Sequence, residues 1–397
     1  MKLLVFSPYY PPHVGGLQGH AQQFNQHLAK TGAKINVFTS HLPPFAPAQE
    51  DNGAIKIIRF PAWEIIPNYP LPKFWQSDFW LMWRQIRAQK FDVVVSRTRF
   101  FFTSLLALAY AKSSHTPWLH IEHGSNFISL SNPLTNLLAR LYDHTFGRLV
   151  LHLADVVVAN SYASANFVKH LSRRSAPVIY RGINKEKIIK TPAAQNIKNT
   201  YHDKVIITFV GRLIDGKGVD DLLKAIRIIT SYQSLVTSYP FHCLIIGDGP
   251  QSQPLAKLAR QLGISKHITF LGQQNFNQTM SILKASDIFV NPSHTEGLPT
   301  SVIEAALCKT TIIATNVGGT PEIITNNVSA YLIPPQQPDV LADKLAFLLL
   351  NPNKGTDLSN HAYQEVLNKF SWTQSIAAYN KVFKQLLQPD NYVWHSR

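Results

Sequence analysis

A strand, a loop and a helix follow one another in residues 285–307, which read ASDIFVNPSHTEGLPTSVIEAAL. An apolar run closed by Asn-Pro has the composition of a buried strand that ends in a turn. The later apolar run predicts a helix, and Pro299 suits its first turn because a proline lacks the N–H that stays unpaired there. We therefore expect a helix over Pro299–Leu307, with Glu296 on the loop that faces its start and Glu304 within its first turns.

The chemistry of this segment depends on the two glutamates and on the backbone between them. Backbone N–H groups at a helix start attract phosphate, and carboxylates accept hydrogen bonds from sugar hydroxyls. Glu296 and Glu304 together therefore suit a phosphate ester that carries polyols, such as a nucleotide sugar. Either glutamate alone is equally consistent with a favourable charge near a helix dipole or with a solvated helix face.

Length and composition describe a globular chain that is large enough for two domains. The 397 residues are 45% hydrophobic and 15% charged, which excludes a disordered chain. No apolar run reaches the roughly 18 residues of a membrane span, and the start, MKLLVFSP, is too soon broken by proline for a secretion signal and fits a first strand. Cys243 and Cys308 lie in apolar stretches, which predicts buried, reduced thiols in a cytoplasmic protein.

The net charge of +15 is concentrated in the first half of the chain, where residues 1–184 hold 18 lysines and arginines against 8 aspartates and glutamates. A basic excess favours anionic partners such as nucleotide diphosphates, anionic lipid or acidic glycans. No basic helix and no aromatic-basic binding motif stands out, so we expect no nucleic-acid partner.

Short apolar runs alternate with helical patterns along nearly the whole chain, which predicts parallel sheets covered by helices on both faces. The first set of predicted strands is Lys2–Ser7, Lys34–Thr39, Ile55–Arg59, Phe91–Ser96, Trp118–Glu122, Asp155–Ala159 and Pro177–Tyr180. Residues 181–201 are polar and without periodicity, and we interpret them as a linker. The second set of predicted strands is Val205–Val210, Phe241–Ile246, His267–Leu271, Ile288–Asn291 and Thr311–Ala314.

The predicted fold class is therefore α/β, with two doubly wound, Rossmann-like domains that face each other across a cleft. We expect the first domain in residues 1–184 and the second in residues 185–370. A last helix, in residues 371–397, is expected to cross back to the first domain. Ligands of such sheets bind at the carboxyl ends of the strands, so both domains should offer those ends to the cleft.

Glycines or cations follow two of the predicted strands. Gly15 and Gly16 precede a predicted helix, where glycine lets the backbone approach a phosphate closely; a tight turn without a ligand explains them equally well. Arg212 and Lys217 can hold a diphosphate and stabilise the charge that grows on a leaving group, although ordinary surface charges remain the alternative. The dinucleotide fingerprint and the Gly-Lys-Ser/Thr phosphate loop are both missing.

His123 comes directly after the predicted strand Trp118–Glu122. Strand alternation places His120 and Glu122 on one face, and it leaves His123 at the strand exit, where its side chain can reach the cleft. A purely structural histidine fits this position as well. The other histidines show no metal-ligand spacing and no Asp-x-Asp pair is found, so we expect no metal.

The segment 73–87, KFWQSDFWLMWRQIR, mixes aromatic and basic side chains. Trp75, Phe79 and Met82 or Trp83 share one helical face by their i, i+4 spacing. The segment is consistent with a helix at an anionic membrane surface. It is also consistent with a helix that packs these aromatic side chains on the first sheet.

A series of motifs spans nearly the whole chain. They are Gly15-Gly16, His123-Gly124, Asn160-Ser161, Gly211-Arg212-Leu213 with Lys217, Gly247-Asp248-Gly249, Phe270-Leu271-Gly272, Glu296–Glu304 and Gly318-Gly319-Thr320-Pro321-Glu322. As a set, in this order, they resemble the retaining glycosyltransferases of family four, which have the GT-B fold. One departure is Arg181-Gly182-Ile183-Asn184, where relatives often have Asn-Gly-Val/Ile-Asp, and we expect it to affect the hinge and not the chemistry.

The resemblance implies a role for each site residue. Arg212 and Lys217 would hold the donor diphosphate, Glu304 would accept the ribose hydroxyls, and His123 would lie near the donor sugar. Glu296 would orient the transferred sugar and its phosphate together with Gly297, Leu298, Pro299 and Thr300. Gly15 and Gly16 would approach the diphosphate from the other domain. The resemblance also implies that the anomeric configuration is retained and that no metal or other cofactor takes part.

The sequence thus predicts an enzyme that moves a hexose from a nucleotide-diphosphate sugar to an acceptor hydroxyl. The acceptor is expected to be a glycan or lipid-linked, bound mainly to the first domain, as in cell-surface polysaccharide or glycolipid synthesis. A cytoplasmic location is expected, and peripheral contact with the inner face of an anionic membrane is left open. Two alternatives are a nucleotide-sugar epimerase of the same fold, which the order of the charged motifs disfavours, and a non-catalytic nucleotide-sugar-binding subunit.

Overall fold

A computed structural model describes residues 1–13, 15–66, 69–127 and 133–388. The chain divides into two compact units. Of the described residues, those up to 127, 133–182 and 372–388 belong to unit 1, and 183–371 belong to unit 2. Each unit is built on a largely parallel sheet with helices, which confirms the α/β class.

The sheet of unit 1 has seven strands in the order β3-β4-β2-β1-β7-β8-β9, and all pairs are parallel except β3 with β4. A separate antiparallel hairpin joins β5 and β6. The strands are β1 Lys2–Ser7, β2 Lys34–Ser40, β3 Gln49–Asp51, β4 Ile55–Phe60, β5 Ala62–Ile66, β6 Tyr69–Pro72, β7 Val93–Arg97, β8 Trp118–Glu122 and β9 Val156–Ala159. Because β1 lies between β2 and β7, the chain first adds strands on one side of β1 and later on the other.

Helices cover both faces of this sheet. They are α1 Gly16–Ala29, α2 Ser77–Arg87, α3 Phe102–Ser114, α4 Pro133–Tyr142, α5 Arg148–Leu153 and α6 Tyr162–Ser172, with a π-helical turn, Asp143–Gly147, between α4 and α5. Leu3 and Val5 belong to one apolar core and Leu4 and Phe6 to another. This division follows from the two-residue period of a strand whose faces are both buried.

The predicted strand Pro177–Tyr180 is wrong, because Val178 forms only an isolated bridge with Ala159. Ala159 N donates to Pro177 O at 3.0 Å and Ile179 N donates to Ala159 O at 2.9 Å, and proline at 177 has no N–H to extend this bridge into a ladder. In the segment 73–87, α2 buries Phe79 and packs Met82 and Trp83 on the sheet, as the core interpretation predicts. Trp75 precedes the helix and is exposed, so it does not share that face.

Unit 2 has a six-stranded parallel sheet in the order β12-β11-β10-β13-β14-β15. Its strands are β10 Val205–Val210, β11 Phe241–Ile246, β12 Ile268–Gly272, β13 Ile288–Asn291, β14 Thr311–Thr315 and β15 Tyr331–Ile333. Its helices are α7 Lys185–Lys190, α8 Gln195–Thr200, α9 Val219–Ser231, α10 Gln233–Ser238, α11 Ser252–Gln261, α12 Phe276–Ala285, α13 Thr300–Leu307, α14 Pro338–Leu350 and α15 Pro352–Lys369. Both cysteines are buried free thiols, as predicted.

The interpretation of residues 181–201 as a linker is wrong. This stretch contains α7 and α8, which bury Ile188 and Ile197. Asn184 begins α7, with its side chain accepting from Lys187 N at 3.1 Å. Two six-residue helices show too few apolar positions for a helical period to appear in the sequence.

The last helix, α16 Trp372–Leu387, belongs to the core of unit 1. Its first residue, Trp372, stacks on the rings of His20 and His27, at centroid distances of 5.5 and 4.6 Å. A Cβ on Gly182 would overlap the ring and the backbone of Trp372. The glycine of the Arg-Gly-Ile-Asn segment is therefore required by packing against this helix. Within the described residues, no helix combines the length and apolarity needed to cross a bilayer.

Replacing Gly182 with alanine tests this packing. We expect Gly182→Ala to lower the free energy of unfolding by roughly 1–3 kcal/mol, because the added methyl group overpacks the contact with Trp372. The control is Gly19→Ala in α1, where an added Cβ meets nothing within 4 Å. This variant should raise the free energy of unfolding by up to about 1 kcal/mol, because alanine has a higher helix propensity than glycine. Chemical denaturation measures both; equal behaviour of the two variants would contradict the packing account.

Candidate active site

The sheet of unit 2 changes its direction of growth between β10 and β13. The chain passes from β10 outward to β11 and β12, and it then returns to the other side of β10 with β13, β14 and β15. Loops that leave neighbouring strands on opposite sides of such a point diverge and open a crevice beyond the carboxyl ends of the strands. The loop 211–218 after β10 and the loop 292–299 after β13 flank this crevice.

An ion pair joins these two loops. Lys217 Nζ lies 2.5 Å from Glu296 Oε1, and both side chains are partly buried. Ser293 Oγ donates to the same carboxylate oxygen at 2.7 Å. Lys217 and Glu296, which the sequence places 79 residues apart, therefore meet at the crevice. Arg212 lies exposed on the first of the two loops.

Close backbone contacts hold the two loops in place. Gly218 has φ of +65°, and a Cβ at this position would overlap the carbonyl oxygen of Pro292. The backbone N–H of His294 donates to Gly216 O at 2.8 Å, and His294 Nε2 lies 2.8 Å from Asp221 Oδ2. Glycine at 218 is thus what lets the loop that carries Lys217 approach the loop that carries Glu296.

The loops after β11 and β14 are joined to the same framework. Gly319 N donates to Gly297 O at 2.9 Å, and Leu213 N donates to Asp248 O at 2.9 Å. A Cβ on Gly247, whose φ is +135°, would overlap the carbonyl oxygen of Gly211. The Gly-Asp-Gly and Gly-Gly-Thr-Pro-Glu motifs therefore border the crevice through their backbones.

The helix of the opening sequence segment begins one residue later than predicted. Pro299 has φ of −70° and ψ of 110° and precedes α13, which starts at Thr300. An extended ψ places the proline just outside the first turn. Glu304 lies within α13 and is half-buried. Burial, with a smaller contribution from the charge of Glu304, raises the pKa of Cys308 to about 12.

In unit 1 the corresponding change of sheet direction lies between β1 and β7. Gly15 and Gly16 close the loop after β1 and begin α1. A Cβ on Gly16 would meet nothing within 4 Å, so the backbone is open to an approaching ligand there. A Cβ on Gly15 would overlap the side chain of Gln18.

His123 lies one strand further along the same edge, after β8. His123 Nδ1 is 3.2 Å from the side-chain nitrogen of Asn160, so Nδ1 accepts and the proton resides on Nε2. Burial and then the charge of Arg97 lower the pKa of His123 to about 3. The ring is therefore neutral near pH 7, and its Nε2–H has no partner within the described residues.

A second buried histidine and an arginine lie beside His123. The rings of His20 and His123 are 5.3 Å apart, and Arg97 Nη1 lies 3.3 Å from His20 Nδ1. Burial lowers the pKa of Arg97 to about 10, while its guanidinium stacks over Phe24. Sequence reasoning did not identify His20 or Arg97, because 77 residues separate them and neither lies in a recognisable motif.

The other face of β8 carries a charge network, as strand alternation predicts. His120 Nε2 lies 3.4 Å from Glu122 Oε2, and Arg99 pairs with Glu122 at 3.2 Å and with Asp143 at 2.9 Å. Burial alone would raise the pKa of Glu122, but Arg99 and His120 reverse this and hold it well below its usual range. Glu122 also accepts from the backbone N–H of His123 at 2.9 Å, which fixes the start of the loop.

One group of possible metal ligands lies near the crevice of unit 2. Ligand atoms of Asp220, Asp221 and His294 are within 4.8 Å of one another. The ammonium of Lys224 already lies 2.8 Å from Asp220 and 3.4 Å from Asp221, and His294 bonds Asp221. A resident lysine cation and an internal hydrogen bond satisfy this group, so it gives no basis for a metal site.

Comparison with known proteins identifies the family. Residues 14–187 match the family described as Glycosyltransferase Family 4, and residues 190–365 match Glycosyl transferases group 1. A protein of Methanocaldococcus jannaschii named as an uncharacterized glycosyltransferase is 32% identical over 98% of this chain and 99% of its own. The chain belongs to the family 4 glycosyltransferases and is an enzyme of that class with the GT-B fold.

Two further similarities cover nearly the whole chain. The gpi3 subunit of phosphatidylinositol N-acetylglucosaminyltransferase from Schizosaccharomyces pombe is 22% identical over 97% of this chain and 81% of its own. The solved structure of Anabaena HepE in complex with UDP-glucose matches with a TM-score of 0.74 and 18% identity, over 97% of this chain and 100% of HepE. At this identity the structural likeness establishes the fold.

The low pKa of His123 predicts a pH dependence of stability. Above its unfolded-state pKa of 6.5 the ring is neutral in both states. Below 6.5 the unfolded chain binds a proton that the folded chain, with a pKa of about 3, excludes. As the pH is lowered from 6.5 towards 3, the free energy of unfolding should therefore decrease by about 1.4 kcal/mol per pH unit because of this ring.

We expect His123→Asn to unfold with a shallower pH dependence than the unchanged chain. Urea denaturation at several pH values between 6.5 and about 4 measures the slope. Because the pKa of His20 is also lowered, by burial first and then by nearby arginines, His20→Asn combined with His123→Asn should flatten the slope further. Parallel slopes for the unchanged chain and His123→Asn would show that the ring takes up its proton in the folded state.

Proposed function

We propose that the protein transfers a hexose, with retention of configuration, from a nucleotide-diphosphate sugar to an acceptor hydroxyl, without a metal ion. The observation that carries the proposal is the pair Lys217–Glu296, held at the point where the parallel sheet of unit 2 opens. Ligands of open parallel sheets bind at this place. The family membership of the chain and the nucleotide sugar named in the HepE structure support the same interpretation.

Lys217 supplies a positive charge for the diphosphate. Its ammonium is oriented by Glu296 before a donor arrives, so little reorganisation accompanies binding. As the bond between the anomeric carbon and the phosphate oxygen breaks, negative charge grows on the diphosphate, and Lys217 and Arg212 stabilise it. Glu296 and the backbone of residues 297–300 then orient the transferred sugar and its phosphate.

Retention places the acceptor and the leaving group on the same face of the sugar. The acceptor hydroxyl bonds to the anomeric carbon as the diphosphate departs, and its proton passes to a leaving phosphate oxygen. No protein base is needed at that face. In this assignment the neutral His123 donates from Nε2 to a hydroxyl of the donor sugar, and Gly16 leaves room for the diphosphate.

The acceptor class is proposed from charge and relationship. Unit 1 carries the basic excess of the chain, since residues 1–184 hold 18 of its 38 lysines and arginines but only 8 of its 23 acids. An anionic or lipid-linked glycan, as in cell-surface polysaccharide or glycolipid synthesis, fits such a surface. The S. pombe relative is named for an enzyme that acts on phosphatidylinositol.

Removing the ammonium of Lys217 tests its role. Lys217→Ala should lower kcat/KM with the preferred donor by roughly 100- to 1,000-fold, the usual loss when one preorganised charge-stabilising donor is removed. The control is Lys266→Ala, which removes an exposed lysine of the same unit. A kcat/KM of Lys217→Ala within about twofold of the unchanged enzyme would contradict the assignment. Loss of even 1.4 kcal/mol of transition-state stabilisation would lower the rate tenfold.

Glu304 is tested by nucleotide binding. Thermal-shift screening against UDP-, GDP- and ADP-sugars identifies the donor, because a ligand that binds the folded state raises Tm. Glu304→Ala should then bind that nucleotide about 10- to 100-fold more weakly in calorimetry, as expected for lost hydrogen bonds to a charged group. Glu186→Ala, an exposed glutamate of α7, should bind normally. Unchanged affinity in Glu304→Ala would exclude Glu304 from the nucleotide site.

A further inference from the structure

Unit 1 exposes a row of large apolar side chains on the helical segment formed by α4, the π-helical turn and α5. We call the seven side chains the leucine face: Leu134, Leu137, Leu138, Leu141, Phe146, Leu149 and Leu153. Each is between 39% and 64% exposed. The described part of unit 2 is about nine times longer than this segment, yet only six of its large hydrophobic side chains are comparably exposed. Exposed apolar side chains are therefore concentrated in the leucine face.

The leucine face is not the side of the segment that holds the fold together. The inner side packs Ala139, Val150 and Leu151 into the unit 1 core. It also carries Asp143, which is buried and pairs with Arg99 at 2.9 Å. Gly147 lies against the same pair, where a Cβ would come within 3.0 Å of Asp143. The inner side of the segment therefore packs against the core of unit 1, and the outer leucines take no part in that packing.

Two cations, Arg140 and Arg148, lie beside the leucine face, and both are exposed. His144 and His152 continue the same four-residue spacing and are also exposed. Burial and then the charge of Arg148 lower the pKa of His152, so the positive charge of the row comes from the two arginines. Residues 134–153 contain a single acidic residue, Asp143. It is buried and forms an ion pair with Arg99. The exposed surface of the segment thus combines leucines with positive charge and carries no carboxylate.

Aromatic side chains continue the apolar surface beyond the segment. The ring of Tyr142 lies 5.5 Å from Phe146 and 6.4 Å from Tyr69 of the β5–β6 hairpin. The same hairpin exposes Trp63 and Ile65. Tryptophan and tyrosine favour the boundary between water and lipid, where one part of the ring is apolar and the other polar.

We propose that the leucine face docks unit 1 on the surface of an anionic lipid bilayer. A helix that is apolar on one side, flanked by arginine, and too charged and short to span is the kind that lies in the plane of a membrane interface. Each arginine near an anionic surface adds attraction, and the net charge of +15 acts in the same direction. A second copy of the chain is a poorer occupant, because self-contact would bring the rows of Arg140 and Arg148 together without an acid to neutralise them.

The docking surface differs from the one that the sequence indicates. Sequence reasoning considered the segment 73–87, but α2 buries Phe79 and Ile86 in the core. Trp75, Trp80 and Leu81 remain exposed there, whereas α4 and α5 present a longer, acid-free apolar row. Docking through the leucine face is independent of the identity of the donor and the acceptor.

Vesicle flotation of the full chain, without nucleotide or acceptor, tests the proposal. One vesicle is phosphatidylcholine alone, and the other contains equal amounts of phosphatidylcholine and phosphatidylglycerol. The chain should bind the anionic vesicle, with an affinity that declines as salt rises. Leu137→Glu combined with Leu141→Glu should weaken this binding at least about tenfold, because two leucines that the lipid buries are lost and two acids are added.

Matched controls separate docking from a general change in charge. Ile189→Glu with Leu350→Glu makes the same change at exposed apolar residues of unit 2 and should keep most of the binding. Arg140→Gln with Arg148→Gln should bind the anionic vesicle about 30-fold more weakly, whereas Lys257→Gln with Arg260→Gln, exposed cations of unit 2, should not. Circular dichroism and Tm establish that each variant is folded.

Three results would overturn the proposal. The first is no binding of the unchanged chain to the anionic vesicle. The second is equal binding by the leucine variant and the unchanged chain. The third is a lipid-free dimer in light scattering that Leu137→Glu with Leu141→Glu abolishes, with no vesicle binding, which would assign the face to a second copy. Nucleotide binding is measured separately, so failure here leaves the donor site unaffected.

Discussion

The close approach of the loops after β10 and β13 is the constraint on which the site of unit 2 depends. Gly218 has a positive φ and lies directly against the carbonyl of Pro292, so a side chain at that position would push the loops apart. With the loops together, Lys217 and Glu296 form an ion pair that Ser293 completes. A partly buried lysine would be costly without such a partner, so the backbone contact and the ion pair stabilise each other.

The two units use buried charge differently. In unit 2 the cation at the crevice is paired and partly solvated, which suits a group that exchanges one anionic partner for another. Around His123 in unit 1 the charge is withdrawn from water: Arg97 is fully buried, and the pKa of the neighbouring His123 is lowered to about 3. A neutral imidazole can donate a hydrogen bond at neutral pH without adding charge to its surroundings.

Strands and the order of motifs could be predicted from the sequence because both are local. Buried parallel strands such as Val205–Val210 appear as apolar runs, and the pattern of β1 matches its observed bounds. The helices α7 and α8 were missed because six residues are too few to show a period. The strand Pro177–Tyr180 was overpredicted because an apolar run does not reveal how far the pairing extends, and here it stops at a single bridge to Ala159 of β9.

The site divides in the same way. Glu296, Lys217 and His123 follow strands and could be singled out, but their neighbours could not. Ser293 and Arg97 are ordinary in the sequence, and they become important only through contacts across many residues. The leucine face was hidden for a related reason: an apolar helical period normally predicts a buried face, and only the structure shows which side of α4 is covered.

Lys217 is the residue that we propose receives the diphosphate. A crystal structure of the protein with the nucleoside diphosphate that gives the largest rise in Tm tests this most directly. We predict a phosphate oxygen about 2.7–3.2 Å from Lys217 Nζ, in the crevice between the loops after β10 and β13. A diphosphate bound elsewhere, with the Lys217–Glu296 pair undisturbed, would contradict the account.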